Sequence, residues 1–287
     1  MILVTTAGKV GGEASRLLAE RGEPVRVLVR DPAKAPVLQQ AGIEVAIGDL
    51  AVPGTLDQAL QDVTAVILVS PAVPAQEIAV IEAAARAGAS HVVKVTSKAS
   101  ADSPIARRRG QAAIEAALTA SGLGWTLLRN NGYMQNFLMM APAIARTDSF
   151  AAATGDGRVG HIDARDVGAV AAAIAAAPAS HAGRTYWPTG PEALSSGEVA
   201  VILSKVLGRE ITFRPITFEE QRQAMISAGL PEPVAEDNAR ALALSAGGEA
   251  DYVTTDVPDI LGRPARSFEQ FATEYATAFT ACQEESS

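Results

Sequence analysis

Apolar and polar positions in the first half of the chain alternate between two rhythms. Ile2-Leu3-Val4 is a continuous apolar run. Val10, Ala14, Leu17 and Leu18 follow at helical spacing until Gly22 stops the pattern. Val25 to Val29 is the next apolar run, and the theme returns at Val45 to Ile47, Val66 to Val69, Val92 to Val95 and Thr126 to Leu128. The helical stretches between these runs include Ala75 to Ala87, closed by Gly88, and Arg108 to Ala120, closed by Gly122. Short apolar strands alternating with amphipathic helices predict an α/β fold, a doubly wound parallel sheet covered on both faces. Beyond residue 145 the rhythm loosens. Asp166 is expected to cap an Ala-rich helix, and Thr185 to Trp187 is a candidate returning strand. Three later helices open with capping boxes at Ser195/Glu198, Thr217/Glu220 and Ser267/Gln270. The expected division is a sheet domain over 1–150 and a smaller, mainly helical C-terminal lobe over 151–287, part of which returns to the sheet.

The glycine-bearing turn sharpens this picture. Val4-Thr5-Thr6-Ala7-Gly8-Lys9-Val10-Gly11-Gly12 lies between the first strand and the first helix, where a Rossmann-type fold sets pyrophosphate on a helix N-terminus. Gly8 lets the turn approach phosphates and Gly11 lets helix and strand pack closely; the bland alternative is a tight turn whose glycines serve packing alone. Thr5 stands where glycine is common. The second strand ends in Arg30, with Lys34 one helical turn on, where an NAD binder usually carries an acid. A guanidinium suits a 2′-phosphate, although Asp31 leaves open a solvated Arg-Asp turn. Asp49, in Gly48-Asp49-Leu50, is read either as an adenine acceptor or as the cap of a turn before Thr55. Ser70-Pro71 and Thr96-Ser97 end further strands at the carboxyl edge, where ligands bind. The expected cofactor set is Thr6, Gly8, Lys9, Val10, Gly11, Arg30, Lys34, Asp49, Leu50, Ser70, Pro71, Thr96 and Ser97, and the cofactor is NADP(H).

Composition narrows the class. Lys and Arg total 24 against 32 Asp and Glu, a net charge of −8, and aromatics make up 5%. Neither favours nucleic acid or an anionic membrane as a partner. The longest apolar runs are too short to span a bilayer, and the chain opens directly on a strand, so the expected location is the cytoplasm. A single cysteine, Cys282, excludes an intrachain disulfide, and His91, His161 and His181 have no ligand-like spacing, so no metal is expected. No G-x-S-x-G elbow or P-loop is present. The expected partner is a small-molecule acceptor, with a homodimer possible.

Several motifs together resemble the NmrA-like branch of the atypical short-chain dehydrogenases. They are the glycine turn, the segment from Val29 to Lys34, Gly48-Asp49-Leu50, the segment from Ser121 to Asn136, Asp163-Ala164-Arg165-Asp166-Val167 and Leu261-Gly262-Arg263-Pro264. Many relatives carry proline after the Leu-Arg pair; Asn130 here resembles the bacterial NADPH:quinone oxidoreductase and triphenylmethane reductase group. The resemblance implies a Rossmann lobe, a small C-terminal lobe and NADP(H) binding. The family also holds redox-sensing regulators without known turnover.

The reaction is read from what is missing. Short-chain dehydrogenases generally follow a Ser with Tyr-x-x-x-Lys; Ser97 is present, but the corresponding stretch is Arg107 to Glu115. Hydride transfer to a quinone or other conjugated acceptor needs less acid help, because the acceptor delocalises the arriving charge. Tyr133, Asn131 and Lys98 are the candidate catalytic residues. Tyr133 is equally readable as a packing residue and Lys98 as a surface lysine, while Glu115 and Arg129 are expected to make structural contacts. The leading expectation is an NADPH-dependent reductase of a small conjugated acceptor such as a quinone. The alternatives are a non-catalytic NADP(H) sensor and a biosynthetic reductase or isomerase.

Overall fold

Each of the six apolar runs of the first half forms a strand, and Gly22, Gly88 and Gly122 end the intervening helices with positive φ of 73°, 76° and 82°. A computed structural model describes residues 1–71 and 73–280; Cys282, and with it the reading of a lone thiol, lies outside them. In chain order the elements begin β1 (Ile2–Val4), α1 (Lys9–Glu20), β2 (Val25–Val29), α2 (Ala35–Gln40), β3 (Glu44–Ile47) and α3 (Pro53–Ala59). They continue with β4 (Ala65–Leu68), α4 (Pro74–Arg86), β5 (His91–Thr96), α5 (Ala106–Ala120), β6 (Gly124–Arg129), α6 (Ala141–Thr147), β7 (Ser149–Ala152) and β8 (Arg158–Val159). Then come α7 (Ala164–Ala176), β9 (Arg184–Tyr186), β10 (Leu194–Ser195), α8 (Ser196–Leu207) and β11 (Thr212–Pro215). The last are α9 (Phe218–Ser227), α10 (Glu232–Ala246), α11 (Asp256–Leu261) and α12 (Phe268–Glu274).

The chain divides into two compact units. The first comprises Met1–Asn130, Ala164–Pro188 and Asp256–Arg263. Its sheet has the order β3-β2-β1-β4-β5-β6-β9 with every neighbouring pair parallel, a Rossmann-like arrangement whose order reverses between β1 and β4. The returning strand β9 closes it beside β6. Leu68, Val92 and Leu127 pack on one face against Ile81, Ile114 and Leu118 from α4 and α5. Within the same unit α1 and α7 touch backbone to backbone, since a Cβ on Gly168 would lie 2.8 Å from the Val10 carbonyl. Asp166 is not the cap of α7. The helix begins two residues earlier, and Asp166 is a buried first-turn residue paired with Arg263 at 2.8 Å.

The second unit comprises Asn131–Asp163, Thr189–Thr255 and the segment from Pro264 onward. It holds the parallel pair β7–β11 and the antiparallel pair β8–β10. Phe137, Phe150, Phe268 and Phe271 are buried in its core. Residues 131–150, grouped with the sheet by the sequence, belong here because Met134, Phe137, Ile144 and Phe150 face this core. Apolar periodicity shows that a face is buried, not which core receives it. All three capping boxes form, at Ser195/Glu198, Thr217/Glu220 and Ser267/Gln270. Among the described residues no helix is long and apolar enough to cross a membrane.

Candidate functional site

The carboxyl edge of the sheet gathers the expected cofactor residues of the first unit, because each follows a parallel strand. At the switch point Thr5 clamps the ends of β1 and β4: its hydroxyl donates to the Val69 carbonyl at 2.7 Å and accepts from the Val69 N–H at 2.9 Å. Thr6 donates to the same carbonyl at 3.2 Å. The residue in glycine's usual place therefore does structural work. Gly8 caps α1 from extended backbone, the helix lacks a side-chain cap and an acid in its first turn, and Gly8 and Lys9 are exposed. The first N–H groups of α1 thus meet no internal anion, as a pyrophosphate site requires. A Cβ on Gly11 would fall 2.0 Å from the Thr6 carbonyl, whereas one on Gly8 meets nothing nearer than Thr6 Oγ1 at 3.9 Å. Gly11 is a packing requirement and Gly8 leaves open space. Val10 is buried, so only its backbone is available to a ligand.

Arg30 and Lys34 are exposed and make no ion pair or side-chain hydrogen bond among the described residues. Asp31 turns inward to its own loop and accepts from the Ala33 N–H at 2.9 Å. Asp49 accepts from the Ala51 N–H at 2.9 Å, and Thr55 Oγ1 accepts from the Asp49 N–H at 3.1 Å, the turn-capping arrangement. Leu50 belongs to the core, so its side chain is withheld from any ligand. Pro71 is exposed, Ser70 and Lys98 are half-buried, and the buried Ser97 hydroxyl finds no hydrogen-bond partner among the described residues. An orphaned hydroxyl at the strand ends, a bare helix N-terminus and an exposed arginine after β2 all fit a phosphorylated dinucleotide.

Beneath this edge lies a set of buried charges that periodicity concealed. Lys94, in the middle of β5, is fully buried and pairs with the fully buried Glu77 of α4 at 2.7 Å. Its ammonium also donates to the Val95 carbonyl at 2.6 Å. Burial pulls Lys94 below the ordinary lysine range, and Glu77 opposes the fall. The other Glu77 carboxylate oxygen accepts from the Ser70 hydroxyl at 2.5 Å. Alongside, Glu115 accepts from Thr96 at 3.2 Å and from Arg129 at 2.5 Å, and the Arg129 guanidinium lies 5.1 Å from the Trp187 ring centroid. Glu115 and Arg129 are structural, as expected. The signal for Lys94 was a lysine interrupting an apolar strand, which has no partner in the local sequence. Asn130 donates both its backbone and its side-chain N–H to the Thr96 carbonyl, at 3.1 and 3.0 Å, tying the ends of β6 and β5 together. Proline at that position would supply neither bond.

Asn131 and Tyr133 belong to the second unit. The Asn131 side chain is committed to backbone: it donates to the Ala250 carbonyl at 3.0 Å and accepts from the Gly132 N–H at 2.9 Å. Half-buried Tyr133 bridges to Ile162 in parallel register. His161 stands beside this loop, with the Phe137 ring edge-on at 5.1 Å; burial pushes its imidazole down to about 4, against the Gly132 backbone. Glycine is required around it: a Cβ on Gly190 would lie 2.2 Å from the His161 carbonyl, and one on Gly160 lies 2.2 Å from that of Tyr252.

Known proteins are similar to this chain in sequence and in fold. An NAD(P)H azoreductase of Xenophilus azovorans is 40% identical over 285 residues, covering 98% of this chain and 99% of that one. A (4-alkanoyl-5-oxo-2,5-dihydrofuran-3-yl)methyl phosphate reductase of Streptomyces griseus is 40% identical over 286 residues, covering 97% of this chain and 99% of that one. The NADPH-dependent quinone oxidoreductase QOR2 of Escherichia coli, solved with NADPH, superposes with a TM-score of 0.87 at 28% identity over 96% of this chain and 100% of its own. The sequence model of the NmrA-like family matches residues 1–254, a span holding every motif of the carboxyl edge, and the chain belongs to that family.

Proposed function

We propose that this NAD(P)H-dependent oxidoreductase passes a hydride from NADPH to a small conjugated acceptor, a quinone or an azo compound. The observation that carries the reading is the bare N-terminus of α1, packed through Gly11 onto Thr6 at the switch point. When bound, NADPH supplies the hydride. The N–H groups at the start of α1 hold its pyrophosphate, and Arg30 with Lys34 takes the 2′-phosphate. Gly8 leaves room for the phosphates, and Ser97 and Ser70 contribute hydroxyls at the strand ends.

The acceptor class is inferred from the acid chemistry. The first unit has no Tyr-x-x-x-Lys after Ser97, so a carbonyl oxygen would lack its usual strong proton donor. Quinones and azo groups delocalise the incoming charge and take protons from weak donors. The relatives' names, an azoreductase and a quinone oxidoreductase, support this class. Tyr133 and Lys98 are proposed as weak proton sources, and Asn131 as the residue that shapes the Tyr133 loop through Ala250.

Comparing NADPH-dependent turnover of a quinone, an azo dye and a simple ketone tests the proposal. Turnover of the first two with little on the ketone is expected. Preferential ketone reduction would mean that an unrecognised acid operates and that the acceptor class is wrong.

A further inference from the structure

Gln111 is a polar residue that the mechanism above leaves unused. It lies on α5 with Ile114, Glu115 and Leu118, the buried residues of that helix, and is 5% exposed. Its amide oxygen is buried and has no hydrogen-bond partner among the described residues. Glu115, one turn further along the same face, marks the height of this position against the sheet. It accepts from Thr96 at 3.2 Å and pairs with Arg129, the last residues of β5 and β6. Because α5 starts at the carboxyl edge and runs back along the sheet, Gln111 stands about 6 Å beyond Glu115 toward that edge, past the strand ends. The loop from β5 folds back onto the start of α5: the Ser100 N–H donates to the Arg108 carbonyl at 3.2 Å, and Arg109 donates to the Ser103 carbonyl at 2.6 Å. Ser97 opens that loop, and its buried hydroxyl is likewise without a partner among the described residues. An amide oxygen and a hydroxyl are thus both orphaned at the β5–α5 corner. Such groups are costly to leave unmade, and a bound ligand is one thing that completes them.

The sheet order says which part of a dinucleotide reaches this corner. Arg30 follows β2 and the α1 N–H groups follow β1, so the adenosine half belongs on the β2–β3 side and the nicotinamide half on the side of β4, β5 and β6. An amide oxygen accepts from N–H groups and repels phosphate oxygens. Resting on the NADPH-binding reading, we propose that Gln111 is a further cofactor-binding residue, whose amide oxygen accepts from the carboxamide NH2 of the nicotinamide ring while the Ser97 hydroxyl donates to the carboxamide oxygen. The carboxamide is the neutral group of that half that carries an NH2 and a carbonyl side by side, matching an acceptor beside a hydroxyl. Holding it sets the rotation of the ring, and so the face that is turned toward the acceptor.

The 3-acetylpyridine analogue of NADP+ has a methyl in place of the carboxamide NH2 and keeps the carbonyl, so it isolates the N–H. Gln111→Met keeps the length of the side chain and removes the amide. Calorimetry is expected to show NADP+ binding weakened by about tenfold in Gln111→Met, the effect of one neutral hydrogen bond, with the analogue bound equally by both proteins. The ligand-free variant is expected to melt no lower than the unaltered protein, since an unpartnered buried amide has been removed. Equal losses for NADP+ and the analogue would show that Gln111 acts through the fold and overturn the proposal. Unchanged NADP+ affinity with a lowered melting temperature would make Gln111 structural and overturn it too. A loss confined to the KM of the organic acceptor would place the amide against that molecule instead, and equally overturn it. Should Gln111→Met fail to fold, the unaltered protein provides a second arm: it is expected to bind NADP+ about tenfold more tightly than the analogue, and equal affinities would contradict the assignment. Those contrary results sink this inference alone, whereas absence of NADPH binding in the unaltered protein sinks the reading beneath it.

Discussion

Arg263 donates to the Asp166 carboxylate at 2.8 Å, joining the end of α11 to the first turn of α7 across 97 residues of chain. Asp166 is fully buried while the Arg263 side chain is 44% exposed, so solvent screens one side of the pair. Arg263→Ala removes one charged partner from a buried carboxylate and should lower unfolding free energy by about 1–3 kcal/mol. Asp166→Asn should cost less, because a neutral amide is cheaper to bury. Urea unfolding of both variants checks the order; equal, negligible losses would mean that α7 is held by packing alone.

The two glycines of the nucleotide turn should fail in different ways. Gly11→Ala places a methyl 2.0 Å from a backbone carbonyl, so β1 and α1 must separate. A stability loss of about 1–3 kcal/mol is expected, accompanied by weakened NADPH binding. Gly8→Val adds a side chain to open space and should fold normally while losing NADPH affinity. A folded Gly8→Val protein with unaltered NADPH affinity would remove the pyrophosphate from this turn.

Arg30 is exposed and makes no ion pair among the described residues, and Asp31 is engaged with Ala33. Arg30→Ala should therefore leave the fold intact and weaken NADPH binding by about ten- to a hundredfold, since a charged hydrogen bond contributes roughly 1.5–3 kcal/mol. NADH binding should barely change. Calorimetry with both cofactors decides, and equal losses would make Arg30 structural.

His161 gives the fold an acid-side weakness. Its imidazole is held down at about 4 in the folded chain by burial, against an unfolded value of about 6.5. Between those values the unfolded chain binds a proton that the folded chain refuses, so stability is present above the unfolded value and drains as pH falls toward the folded one. The loss reaches at most about 3 kcal/mol. Burial also lowers His91 and His181, which act in the same direction. NMR titration of the His161 ring should show it still neutral at pH of about 5. A ring titrating near its unfolded value would contradict the burial.

Elements whose evidence is local were legible in the sequence. The six strand runs, the glycine stops and the three capping boxes depend on neighbours within a few residues, and all appear in the structure. Two other features depend on the fold. Asp166 looked like a helix cap until α7 started upstream of it and Arg263 arrived from α11. Lys94 passed without remark inside the apolar run Val92 to Val95, because its partner Glu77 lies on the preceding helix. At the site, residue type marked Arg30 and the glycine turn. Whether a side chain faces a ligand or its own backbone, as with Asp49 and Asn131, is set by turn geometry that composition does not carry.

The most direct measurement is the loss of NADPH absorbance by the purified full chain mixed with a quinone or an azo dye, with acceptor consumption followed in parallel. Tyr133→Phe belongs beside it, because only a hydroxyl is lost. The expected result is continuous turnover with NADPH and acceptor consumed together, and a fall of less than about a hundredfold in Tyr133→Phe. Tight NADPH binding with no consumption on any acceptor would contradict the reductase account and leave a dinucleotide sensor in its place.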